Sequence, residues 1–138
     1  MLTVRKHLAI FTKSAALEVL EGRKTIETRF SLKKIAPFGR VSVGDIVYIK
    51  ISGGDIIGQF WIAKVIYFEG LDQKDWELIK NNFGDRLSLG SDLENQKFFT
   101  QKSASKFGTL IFIDKVEQLI TSPIKFIKHD QRGWVVLD

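Results

Sequence analysis

Gly22-Arg23-Lys24-Thr25-Ile26-Glu27-Thr28-Arg29 stands where one periodicity gives way to another. Before it, Ala16, Val19 and Leu20 recur at i, i+3, i+4, with Glu18 and Glu21 polar, the spacing of a single helix face. Ser14 is the expected N-cap of that helix and Gly22 its expected left-handed C-terminal residue. From Thr25 onward, β-branched Thr and Ile predict a strand. Strand side chains alternate faces, so an inward Ile26 sends Glu27 and Arg29 together to the other side. Lys24 lies at the helix–strand turn, where alternation does not fix its direction. A carboxylate and two cations at the rim of a fold predict a site for a polar, anionic ligand.

The spacing G-x-K-x-x-E-x-R over these eight residues resembles the signature of the ASCH domain, a branch of the PUA-like β-barrel superfamily. The order of the flanking segments resembles that family too. An apolar strand (His7 to Phe11) and a short helix (Ser14 to Glu21) precede the octet, and Val43-Gly44-Asp45 then turns into a strand from Ile46 to Ile51. The resemblance extends over residues 5–118. It implies an α+β fold, a PUA-like mixed β-barrel of five or six strands with flanking helices. It also implies RNA or a nucleotide-like ligand in a cleft that contains Lys24, Glu27 and Arg29. Some small ASCH members are amidohydrolases that remove an acyl group from a modified cytidine. They use the motif lysine, a threonine where Glu27 stands here, and a later glutamate. Lys24 matches, Glu27 departs, and Glu69 and Glu77 are the nearest candidates for the acid. The departure counts against that mechanism. Other members resemble metal-assisted ribonucleases, for which Asp45 and Glu27 could serve, although their spacing demands no metal. If the chain is an enzyme, Lys24 and Glu27 are the catalytic candidates.

Composition narrows the alternatives. With 138 residues, 44% of them apolar, the chain is long enough for one domain with a real core, and no linker-like tract divides residues 1–138. The absence of cysteine excludes disulfides and thiolate chemistry. Two histidines far apart, His7 and His129, make a poor basis for a metal site, so neither a metal nor another cofactor is expected. No apolar run approaches the roughly 20 residues of a membrane span, and the N-terminal stretch is too interrupted by charge for a signal peptide. A cytoplasmic chain is expected, without membrane association. The net charge of +5 favours acidic partners such as nucleic acid.

Beyond Asp45 the pattern continues as strand. Ser52-Gly53-Gly54-Asp55 predicts a tight turn into a long second arm, Ile56 to Phe68. Strict alternation puts Ile56, Phe60, Ile62, Ile66 and Phe68 on one face and Ile57, Trp61, Val65 and Tyr67 on the other. Gly58 is the expected place for such a long strand to bend. Helices are expected from Asp72 to Asn82 and from Asp92 to Gln101, packed outside the barrel. A strand is expected from Thr109 to Val116, and two short ones from Ile124 to Ile127 and Trp134 to Leu137.

Each candidate site residue has a plainer reading beside it. Glu27 and Arg29 are either a surface ion pair worth at most about 1 kcal/mol or a ligand site in which Arg presents a planar fork to phosphate or a base edge. Lys33, Lys34 and Arg40 are either a solvated basic loop or a phosphate-positioning patch beside the octet. Trp61, Tyr67, Trp76, Phe98 and Phe99 read as core, whereas Trp134, after Arg132-Gly133, is the aromatic candidate to meet a base. The reading favoured is an RNA- or nucleotide-binding domain. The alternatives are a ribonuclease or modified-nucleoside hydrolase on the same cleft, or an interaction module whose octet is structural.

Overall fold

The computed structural model describes residues 3–119 and 130–137. The strand expected at Ile124 to Ile127, and His129, lie outside the described residues. Among the described residues, six strands form one mixed sheet: β1 (Lys6–Phe11), β2 (Ile26–Ser31), β3 (Ile46–Ile51), β4 (Ile56–Glu69), β5 (Phe107–Gln118) and β6 (Trp134–Val136). Their spatial order is β2-β5-β4-β3-β1-β6. β1 runs parallel to β3, and the other pairings are antiparallel. The sheet curls into a half-barrel, with α1 (Lys13–Leu20), α2 (Gln73–Phe83) and α3 (Asp92–Lys102) around it. This is the α+β architecture expected. Among the described residues, no helix is long and apolar enough to cross a membrane.

The α1 segment shows how local chemistry delivers the octet. Its N-cap is Thr12 rather than Ser14: Thr12 is extended and its hydroxyl accepts from the Ala15 amide at 3.2 Å. At the other end Gly22 adopts φ +79°, the left-handed value that glycine takes without a Cβ penalty. The Arg23 amide then reaches back to the Glu18 carbonyl at 3.0 Å and the Gly22 amide to Val19 at 3.1 Å, a Schellman closure. The chain thus leaves the helix abruptly, and Lys24, two residues before β2, is already buried.

Each sheet face has its own core. On the inner face, Ala9, Phe11, Val47, Ile49, Phe60 and Ile111 pack with Ala16 and Val19 of α1. On the outer face, Ile26, Leu110 and Phe112 pack with Ile79 of α2, Leu87 and Phe99 of α3. Full burial of an aliphatic or aromatic side chain contributes about 1.5–3 kcal/mol, so the helices after β4 are held by the outer core. Strict alternation along β4 fails. Its register slips against β3 between Ile49 and Lys50, and against β5 between Gln59 and Trp61 and again between Ile62 and Lys64. Ile57 and Ala63 are the extra residues on β4, and each reverses which face the following side chains take, whereas between Gln59 and Trp61 the extra residue lies on β5. Phe60, Ile62 and Val65 therefore belong with the inner core, and Ile66 and Phe68 with the outer. Gly58 lies at the first bend, as expected. A Cβ there would stand 2.8 Å from both the Glu117 carbonyl and Leu20 of α1.

Candidate functional site

The octet builds a buried chain of charges. Lys24 is 5% exposed, and its Nζ donates to the Leu87 carbonyl at 2.6 Å. It also lies 3.7 Å from Glu27 Oε1. Glu27, 6% exposed, accepts from the Thr28 amide at 2.8 Å and faces Arg29 at 3.4 Å. Arg29 in turn donates across the mouth of the half-barrel, to Ile10 O at 2.8 Å and Gly133 O at 3.0 Å. It lies over the rings of Phe11 and Trp134, 5.2 and 5.3 Å from their centroids, within the range of cation–π attraction. β2 and β6 are the two edges of the sheet. Arg29 therefore links one edge to the backbone beside the other, where no ladder joins them among the described residues.

Trp134 is held from behind. Its indole N–H donates to His7 Nδ1 at 3.2 Å, and His7 Nε2 lies 2.8 Å from Asp45 Oδ2. An indole nitrogen can only donate, so Nδ1 accepts and the imidazole proton sits on Nε2, directed at Asp45. Asp45 also accepts from the amides of Arg5 and Ser42. That carboxylate is spent on the turn before β3 and does not line the cleft.

Above this floor lies a cleft of about 430 Å³. Glu27, Arg29, Thr109 and Trp134 contribute to it from below, Phe98 and Lys102 from α3, and Ile35 to Phe38 from the loop after β2. A second hollow, of about 350 Å³, is bordered by Lys24, Glu18, Ser88 and Glu94. The two share Thr12, Ala15, Glu27, Thr28 and Phe98, so they are lobes of one cleft that meet at Glu27. A larger hollow of about 720 Å³ lies between α2 and α3, away from the octet. Its lining is mostly the solvated polar residues of those helices, and the buried charges are not in it. In the first lobe, the Thr109 hydroxyl is buried without a hydrogen-bond partner among the described residues. Such an orphan costs about 1–3 kcal/mol in the folded state. Among the described residues, no three His, Asp or Glu side chains group as metal ligands.

No family model matches the chain, and no curated protein matches it by sequence. Solved structures do. The crystal structure of ASCH from Zymomonas mobilis superposes with a TM-score of 0.70, covering 96% of this chain and 87% of that one at 11% identity. The chain has the ASCH fold. A Tyr-to-Phe variant of the same Zymomonas mobilis protein gives a TM-score of 0.69 at 12% identity, covering 96% and 90%. The hypothetical protein PH0355 gives 0.54 at 14% identity, covering 81% of this chain and 97% of that one. The resemblance carried by Gly22 to Arg29 is thus matched in three dimensions.

Within the ASCH fold the expected site residues divide. Lys24, Glu27, Arg29 and Trp134 come together. Trp134 is 3% exposed and belongs to the inner core as well as to the cleft floor. Lys33, Lys34 and Arg40 are exposed and do not line either lobe. Lys34 sits 3.7 Å from Glu69, over the Phe38 ring. The loop meets the cleft through Ile35, Ala36, Pro37 and Phe38 instead. Tyr67 fixes it there, accepting from the Val41 amide at 3.0 Å and donating to the Val41 carbonyl at 2.6 Å. Neither Glu69 nor Glu77 borders the cleft. Among the lining residues not foreseen as site residues are Thr109, Lys102 and Phe98, the last read from the sequence as core. Their signals were present. Phe98 and Lys102 are four apart, hence on one helix face, and Thr109 is two residues before Ile111, a polar side chain on a core-facing row.

Proposed function

We propose that the chain acts as a single ASCH-type domain that binds RNA or a nucleotide-like ligand in the cleft over β2. The position of Glu27 supports this reading. It is the charged residue common to both lobes, flanked by Lys24 and Arg29 and almost wholly withdrawn from water. A carboxylate so placed is an acceptor for the exocyclic amine of a base, and Phe98 beside it offers a ring for stacking. The positive net charge fits an acidic partner. A hydrolase could use the same cleft, but no observation favours it. Lys24 is engaged with a carbonyl and a carboxylate, and no hydroxyl is hydrogen-bonded to it.

Fluorescence anisotropy with labelled single-stranded RNA tests the reading. Saturable binding is expected, weakened roughly 5- to 100-fold in Phe98→Ala by loss of a stacking contact, and weakened in Glu27→Gln per folded molecule. A folded protein that binds no RNA or nucleotide, or whose binding ignores both substitutions, rejects it.

A further inference from the structure

The cations of the cleft are not equivalent. Lys24 and Arg29 are committed to carbonyls and to Glu27. Lys102, half-buried in the last turn of α3, lines the first lobe, and its ammonium makes no hydrogen bond or ion pair among the described residues. At the far end, the second lobe is bordered by Lys24, Glu18 and Glu94; Glu18 is already paired with Arg23 at 2.6 Å, whereas Glu94 has no cation partner among the described residues. Unpaired positive charge thus stands at one end of the cleft and an unpaired carboxylate at the other. Between them the Thr109 hydroxyl, 1% exposed and without a partner, lies opposite Arg29 in the β2–β5 register. Arg29 cannot serve it, because its guanidinium is turned to Ile10 and Gly133.

Resting on the nucleotide-binding reading, we infer that the first lobe takes a single ribonucleoside monophosphate unit. Its phosphate lies at Lys102, a sugar or base polar group on Thr109, and its amino edge toward Glu27. The volume of about 430 Å³ is at the small-molecule end of binding sites, which run from about 300 to 1,000 Å³, and suits one nucleotide rather than a run of them. Phosphate at the opposite end would face the unpaired Glu94 carboxylate. Lys102 supplies a point charge for it, and Thr109 gains the hydrogen bond that the fold leaves unmade. The same unit occurs as a free nucleotide and as the terminal residue of an RNA strand.

Calorimetric titrations decide it. The four ribonucleoside 5′-monophosphates, their nucleosides, and a short single-stranded RNA with and without a 5′-phosphate are run against the wild-type chain, Lys102→Gln and Thr109→Val. A monophosphate is expected to bind about tenfold tighter than its nucleoside. Lys102→Gln should erase that advantage and leave nucleoside affinity unchanged. Thr109→Val should weaken both about tenfold while raising Tm, since it removes a buried orphan at nearly constant shape. A gain from the 5′-phosphate on RNA identifies a terminal nucleotide as the natural source, and monophosphate binding without it identifies the free form. RNA binding that ignores both substitutions overturns the inference and leaves the RNA-binding reading standing. So does Thr109→Val that raises Tm but alters no affinity. Absence of binding by nucleoside, nucleotide and RNA alike overturns both.

Discussion

At Arg29 one guanidinium faces the cleft and braces the fold at once, so the ligand-binding role we propose for it comes with a structural one. It borders the cleft, yet two of its N–H groups hold carbonyls of β1 and of the approach to β6. Arg29→Ala leaves Glu27 buried with one cation fewer and two carbonyls without their donor, at a cost of roughly 3–5 kcal/mol. Urea denaturation should show that loss, with Arg29→Lys recovering only part of it because an ammonium lacks the fork. A second expectation concerns Tyr67. Burial pushes its phenol above the ordinary 10.0, with Asp45 adding to the rise, while the Val41 amide and Arg5 oppose it. A phenol with a folded pKa above its unfolded one holds its proton more tightly when folded. Its contribution to stability is therefore complete below pH 10 and is lost as the pH climbs through the folded pKa. Melting temperatures from pH 8 to 11 should fall more steeply for the wild type than for Tyr67→Phe, which lacks the ionisation.

Element boundaries were largely legible in the residues, and the failures have identifiable causes. The Gly22 cap could be foreseen because only a left-handed residue ends α1 so sharply. Gly22→Ala, forced to φ +79°, should lose about 1–2 kcal/mol in thermal or urea unfolding. The N-cap was displaced from Ser14 to Thr12 because both residues suit the role chemically, and only the extended backbone at Thr12 decides between them. Along β4 the bend at Gly58 was visible, but the last slip, between Ile62 and Lys64, has no glycine or proline to mark it. Side-chain parity beyond Ile62 was therefore unreadable. α2 carries both kinds of signal: an Asp72 capping box and a buried Ile79. Asp72→Ala should cost about 1 kcal/mol and Ile79→Ala about 2–5 kcal/mol, a ratio that calorimetric melts can read. As for the cleft, Lys24, Glu27 and Arg29 could be foreseen from strand alternation and motif. Lys102 and Thr109 could not, because the contacts that matter join α3 and β5 to a strand some 75 residues earlier.

Seen whole, the molecule keeps its surface charge and its buried charge apart. Lys33, Lys34 and Arg40 are exposed beside the cleft, while Lys24 and Arg29 are neutralised beneath it. That separation predicts how binding responds to salt. If one phosphate meets Lys102 alone, log affinity for short RNA should fall with log salt at a slope of about −0.7, whereas engagement of the three loop cations as well would bring it to about −2.8. Titration across 50 to 300 mM potassium chloride distinguishes these slopes. The half-barrel itself is closed on one side by a side chain rather than by a ladder, and this ties recognition to breathing. Opening between β2 and the β1–β6 pair must release Arg29 from Ile10 and Gly133, so any ligand that grips the Arg29 wall also opposes the opening. Amide hydrogen exchange at Ile10, whose N–H is bonded to Gly133 O at 3.0 Å, should slow on saturation. The amides of α2, on the far side of the outer core, should keep their rates.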